Sequence, residues 1–152
     1  MKISDILPPG AVVSTLRATD KTEALKELAR ALAGTVNGTE EKAIFRALNE
    51  REKLGSTGIG RGVAIPHARL EGLAGIHAAF GRSPHGIYFG SPDGRPAHLI
   101  FLLLAPSKEM TEYLAVLDRV SKLMWSEDNR RRLIEAPEQK VFLTLQQIDT
   151  EV

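Results

Sequence analysis

Leu99-Ile100-Phe101-Leu102-Leu103-Leu104-Ala105 is an uninterrupted apolar run, followed at once by Pro106. Its length suits a strand and falls far short of the ~20 residues that span a bilayer. Because it does not alternate with polar residues, it reads as a central strand covered on both faces. Working upstream, Ile76, Ala78 and Phe80 alternate with His77, Ala79 and Gly81, which is the period of a half-buried strand. Ser91-Pro92-Asp93-Gly94 between the two is a turn, since proline and glycine each supply a special φ. Val63 to Ile65 is a further short apolar strand, ended by Pro66, which has no N–H to give a ladder. Ala11 to Leu16 reads as a brief strand near the start.

Helical patterns flank these strands. Asp20 is an N-cap candidate and Glu23 completes a capping-box spacing. Leu25, Leu28, Ala29 and Leu32 follow at helical intervals, and Gly34 stops the helix. Thr39 is positioned to cap a second helix, with Glu40 and Glu41 in a first turn that favours negative charge. Its apolar stripe is Ile44, Ala47 and Leu48, and Arg51 continues the same face. Beyond the apolar run, Met110, Tyr113, Leu114, Leu117, Ser121 and Met124 form one stripe. A short helix follows Ser126, and Pro137 opens a last one carrying Val141, Phe142, Leu145 and Ile148. Two helices, then strands, then helices predict a sheet covered by helices on both sides.

Composition bounds what such a domain does. The 152 residues show no repeat, low-complexity tract or linker, so residues 1–152 read as a single domain. Hydrophobic residues make up 43% and charged residues 26%, with a net charge of +1, so nothing in the total points to nucleic acid or a membrane. The absence of cysteine removes disulfides, thiolate nucleophiles and zinc-thiolate sites. The first residues, Met1-Lys2-Ile3-Ser4-Asp5, lack the apolar run of a secretory signal, and a cytoplasmic location is expected.

The stretch from Gly55 to Arg69 carries the chemistry. Gly55, Gly58, Gly60 and Gly62 permit positive φ and let backbone N–H groups face an anion. It is not a Walker loop, because Arg61-Gly62 stands where Lys-Ser/Thr must follow Gly60. Nor is it a dinucleotide fingerprint, since Val63 occupies the place of the third small residue. His67 follows the strand end at Pro66 and precedes the small Ala68, which presents its ring. A neutral imidazole is a good phosphoryl acceptor, and the group it accepts needs positive charge nearby. Arg51 offers a bidentate fork for that purpose. Spacing alone leaves a plainer reading open, in which His67 caps a strand and Arg51 snorkels.

Arg51-Glu52, Gly55-Ser56-Thr57-Gly58-Ile59-Gly60 and Ala64-Ile65-Pro66-His67 together resemble the phosphorylation-site signature of the fructose/mannitol-type IIA domains of the bacterial phosphotransferase system, including the nitrogen-regulatory branch. Ile3-Ser4-Asp5-Ile6-Leu7, Asp93-Gly94-x-Pro96 and Leu102-Leu103-Leu104-Ala105-Pro106 extend the resemblance over most of the chain. The resemblance implies an α+β fold, a three-layer α/β/α arrangement with a mixed β-sheet flanked by helices on both faces. It also implies a phosphohistidine at His67, formed by transfer from a small histidine-phosphorylated carrier protein of the HPr or NPr kind, with Arg51 on the phosphate side. The onward partner is then a regulated target protein or a sugar permease domain, without membrane insertion, nucleic acid or cofactor. The lack of an attached permease favours the regulatory branch.

One position departs from that pattern. The family usually carries a second active-site histidine before a leucine in the helix after the Ala-Pro strand end, and here the segment reads Thr111-Glu112-Tyr113-Leu114. Tyr113 takes that place as a neutral hydrogen-bond donor, or serves only as packing. Ser56, Thr57 and Gly58 are expected to line the phosphate. His77, His85 and His98 lack metal-ligand spacing, so no metal site is expected. Arg69 is a candidate for steering an anionic partner or equally a plain surface residue, and Asn129-Arg130-Arg131-Arg132 reads as a solvated helix face.

Overall fold

The computed structural model describes residues 1–108 and 110–151. The apolar run forms the middle of the sheet. β6 (Ala97–Ala105) buries every residue but His98, because it has strands on both edges and helices on both faces. It pairs antiparallel with β5 (His77–Ile87), placing Phe80 opposite Phe101 with ring centroids 4.8 Å apart. On its other edge it pairs in parallel with β3 (Val63–Ala64) and β4 (His67–Arg69). Ala64 faces Ile100 and His67 faces Leu103, so β3 and β4 keep one register along β6. They are one strand line interrupted at Ile65-Pro66, and the Pro66 carbonyl still accepts from Leu103 N at 2.9 Å. β2 (Gly58–Gly60) runs antiparallel to β3, and β1 (Val12–Val13) runs parallel to β5. The order β1-β5-β6-β3-β2 is a mixed sheet.

The expected strand over Ala11 to Leu16 contracts to β1, since Ala11 completes a 3-10 turn (Pro9–Ala11). Leu16 N still reaches Arg82 O at 2.8 Å. β5 is also not half-buried as its alternation predicts: Ala78 to Ser83 are buried on both faces. The small residues are there for close approach. A Cβ on Gly81 would come within 2.8 Å of Leu16 Cδ1 and 2.9 Å of Leu28 Cδ2.

α1 (Lys21–Ala33) and α2 (Glu41–Lys53) cover one face of the sheet, and α3 (Thr111–Trp125), α4 (Glu127–Glu135) and α5 (Val141–Thr150) cover the other. Asp20 Oδ1 caps α1 by accepting from Glu23 N at 2.8 Å, while the Glu23 carboxylate turns to Lys26, 3.7 Å away. Gly34 ends that helix with φ −67°, without a left-handed cap. The N-cap of α2 is Glu40 rather than Thr39, and no side chain caps it. In α3 the buried line is Tyr113, Val116, Val120, Leu123 and Met124, whereas Met110 and Leu114 are 41% and 55% exposed. Spacings of three and four hold the buried line to one face, and Leu114 lies about 100° off it. Ser126 caps α4 through Asn129 N at 3.2 Å. A 3-10 turn (Glu138–Lys140) separates Pro137 from α5, which buries Val141, Leu145 and Ile148.

Two polar clasps join the layers. Arg82, buried in β5, donates from Nε to Ser14 O at 2.8 Å and from Nη1 to Leu133, Ile134 and Ala136 carbonyls at the end of α4. A cation suits the negative end of a helix dipole. Arg119 donates to the buried Asp149 at 2.7 Å, and Asp149 Oδ2 accepts from Ser4 N at 3.2 Å. Among the described residues, no helix is long and apolar enough to cross a membrane.

Candidate functional site

His67 begins β4 just after the Ile65-Pro66 break. Its Nδ1 lies 2.6 Å from the Ile65 carbonyl oxygen. A carbonyl only accepts, so in the neutral ring Nδ1 carries the proton and Nε2 keeps its lone pair. Half-burial of the ring lowers its pKa, opposed by the Ile65 carbonyl; the Arg51 charge lowers it further and Glu52 pulls it back. The balance is below the ordinary 6.5, so at pH 7 the ring is a neutral nucleophile.

The last turn of α2 supplies the two charges. Arg51 Nη1 donates to Gly55 O at 2.9 Å, which keeps its guanidinium beside the site. Glu52 turns under the following loop, its side chain only 5% exposed. Its carboxylate accepts from Thr57 N at 3.0 Å and from the Thr57 hydroxyl, and lies 3.8 Å from Lys21 Nζ. The Ser56 hydroxyl donates to the Phe89 carbonyl and accepts from Gly58 N at 3.0 Å. Ser56, Thr57 and Gly58 thus bond within the loop framework. A Cβ on Gly58 would collide with Ser91 Oγ, so glycine lets the strand approach there. The rest of the glycine stretch is the β2–β3 hairpin rather than an open cradle. Gly60, Arg61 and Gly62 turn it with φ of 89°, 58° and 82°. Asp93 Oδ2 accepts from Arg61 N at 2.7 Å and holds that turn.

Tyr113 reaches the site from α3. It is 5% exposed, and its ring is 6.0 Å from the His67 ring, tilted by 57°. Arg69 lies two residues beyond His67 on β4, on the same side of the strand, with Cζ 5.8 Å from the Tyr113 ring centroid. Burial raises the phenol pKa, with Arg69 and Arg51 opposing, so the group stays neutral. The structure therefore brings His67, Arg51, Tyr113 and Arg69 together. His98 points elsewhere, its Nδ1 2.9 Å from Ser83 O. No group of histidine and acidic residues suited to a metal occurs among the described residues.

Residues 5–147 match the family described as phosphoenolpyruvate-dependent sugar phosphotransferase system, EIIA 2. The chain belongs to this family. Among its relatives is a nitrogen regulatory protein of Bradyrhizobium diazoefficiens, 42% identical over 133 residues that cover 88% of this chain and 86% of that one. A fructose-specific EIIABC component of Bacillus subtilis is 34% identical over 147 residues, 95% of this chain but 23% of that protein. The crystal structure of nitrogen regulatory protein IIA-Ntr from Neisseria meningitidis superposes with a TM-score of 0.87 at 34% identity, covering 94% of this chain and 98% of that one.

Within this EIIA domain, Glu52 is the site residue that sequence reasoning passed over. It stands beside Arg51 in the signature, and its signal was a carboxylate one helical step off the Arg51 face, next to a loop rich in N–H donors. The arginine run over 129–132 is more engaged than a solvated face. Asn129 Nδ2 donates to Leu123 O at 3.0 Å, and Arg130 Nη1 to Met124 O at 2.7 Å. Arg131 pairs with Asp128, and Arg132 with Glu151 at 2.8 Å. The run fastens α4 to α3 and to the end of the chain.

Proposed function

We propose that His67 of this EIIA domain accepts a phosphoryl group from a histidine-phosphorylated carrier protein. The observation that carries this reading is the Nδ1–Ile65 hydrogen bond, which leaves Nε2 as the free nucleophile. In the transfer, the Nε2 lone pair forms a bond to phosphorus as the carrier's N–P bond breaks, and that electron pair returns to the carrier's imidazole. His67 need lose no proton, because Nδ1–H stays on the Ile65 carbonyl. The positive charge that develops on the ring is favoured by that carbonyl and by Glu52, the two influences that raise its basicity. Arg51 faces the phosphoryl oxygens, where a charge-assisted fork is strongest. Tyr113 offers a neutral O–H in a place where a histidine would offer a cation.

A nitrogen-related regulatory output is supported by the 42% identity to the Bradyrhizobium protein and the likeness to the Neisseria structure. The fructose-specific relative supports an alternative onward step, transfer to a sugar permease domain. Incubation with phosphoenolpyruvate, the general phosphotransferase enzyme and its carrier protein tests the proposal. An acid-labile mass gain is expected on the wild type and none on His67→Ala. No gain on the wild type would replace the carrier with a binding module of the same fold, and a gain that survives His67→Ala would move the acceptor elsewhere.

A further inference from the structure

β4 sets His67 and Arg69 on one side of the sheet, with Ala68 turned into the core between them. Tyr113 lies across from both, its ring 6.0 Å from the imidazole and 5.8 Å from Arg69 Cζ. Arg51 and Arg69 each favour ionisation of the phenol against its burial, so guanidinium groups from α2 and β4 flank it. Their situations differ. Arg51 is tied to the Gly55 carbonyl, and its charge also acts on the imidazole. Arg69 is exposed, rests over the face of the Tyr113 ring, and makes no hydrogen bond or ion pair among the described residues. Its five N–H donors are open.

A protein-bound phosphoryl group carries close to two negative charges. One guanidinium balances about half of that. We infer that Arg69 is the second phosphate-side cation of this site, closing from the Tyr113 ring onto an oxygen of the phosphoryl group on His67. The inference rests on His67 being the acceptor. Position 113 itself supplies no cation, and Arg69 supplies it from the strand instead of the helix. A guanidinium, unlike an imidazole, keeps its charge throughout the working pH range and presents a planar fork to phosphate oxygens. The strand spacing explains why the substitution at 113 leaves no nearby basic residue in sequence: the compensating charge comes two residues after the acceptor.

The test is a phosphoryl partition. The phosphorylated carrier protein, freed of the general phosphotransferase enzyme, is mixed with wild type, Arg69→Gln or Arg69→Lys. Intact mass then gives the rate of approach and the final share of phosphate on each protein. Loss of one charge-assisted bond should shift the Arg69→Gln equilibrium about tenfold back toward the carrier, with Arg69→Lys restoring most of it. Equal melting temperatures for the three proteins are expected, as Arg69 is exposed. An unchanged equilibrium with a slower, salt-sensitive approach would overturn the inference, because a residue that only steers encounter changes rates and not the partition. Wild type that takes no phosphate at all would overturn the acceptor reading and this one with it, so the two failures look different.

Discussion

Nδ1 of His67 lies 2.6 Å from the carbonyl oxygen of Ile65, two residues back along its own strand line. Pro66 stands between them, with a fixed φ and no N–H to compete for either group. Among the described residues, the His67 ring is therefore oriented by its own backbone and not by a hydrogen-bonding side chain. That relationship decides which nitrogen faces out, a point on which the sequence is silent.

The burial of that ring sets a pH dependence against the pull of the Ile65 carbonyl. Burial, helped by Arg51, holds His67 below the usual 6.5 despite Ile65 and Glu52. Its midpoint in a histidine NMR titration should lie below 6.5, and the phosphoryl acceptance rate should fall with the same lowered midpoint. The sign for stability follows. The unfolded chain binds the proton more readily, so this site costs stability as pH falls from above 6.5 through the lowered value. His77, lowered by burial, acts in the same direction. His67→Gln should flatten part of the acid slope in urea unfolding and leave the His77 part.

Tyr113 separates packing from chemistry. Tyr113→Phe keeps the ring against His67 and should leave stability within about 1 kcal/mol while removing one neutral hydrogen bond to the phosphoryl group. The dephosphorylation rate should then change by roughly fivefold. Tyr113→His should change it by about tenfold and add a pH dependence near neutrality. Identical lifetimes in all three proteins would make Tyr113 a packing residue only.

Glu52→Gln removes the buried carboxylate that receives Thr57 and lies beside Lys21. Thr57 keeps an acceptor, but the charge assistance goes, and a loss of about 2 kcal/mol is expected in urea denaturation. The His67 titration should also move further down, since Glu52 supports the cationic ring. A His67 pKa unaffected by the change would remove Glu52 from the site.

Arg82→Met deletes the donor that serves carbonyls of Ser14, Leu133, Ile134 and Ala136 together. Buried acceptors left without partners should cost about 3 kcal/mol. Arg82→Lys should recover only a minor part, because one ammonium does not span both the Ser14 carbonyl and the end of α4. A loss below about 1 kcal/mol would show that water takes over these carbonyls.

How much of this was legible depends on how local each determinant is. The Leu99–Ala105 run announced the central strand because burial on both faces leaves no polar alternation. Asp20 announced its cap because a cap is decided within four residues. The face of α3 was misjudged at Leu114, since an apolar residue is permitted on an exposed position and only the sheet decides which stripe turns inward. Ala79 and Gly81 imitated a solvent face, although their small size serves contact with α1. At the site, His67, Arg51 and Tyr113 stood in recognisable sequence contexts. Arg69 was named for its nearness to His67 but its place over Tyr113 was not, and Glu52 was passed over, because loop and strand geometry set both and spacing does not display it. The glycines were over-read as a cradle because positive φ serves a hairpin turn equally well.

β3 and β4 hold one register along β6 across the Ile65-Pro66 interruption, so His67 is mounted at a fixed step beside the central strand of the sheet. β6 is bonded on both edges, and backbone in such a strand opens only at close to the full unfolding free energy, whereas β4 bonds β6 alone among the described residues. On the proposed route, a phosphoryl group arriving at Nε2 meets a short strand whose register β6 sets, with side chains of α2 and α3 at the rim. The proposed phosphoryl group would add close to two negative charges beside a strand whose register is already set. On that route, a partner that distinguishes the phosphorylated protein from the free one does so by touch at the site itself, as a reader of charge and not of conformation.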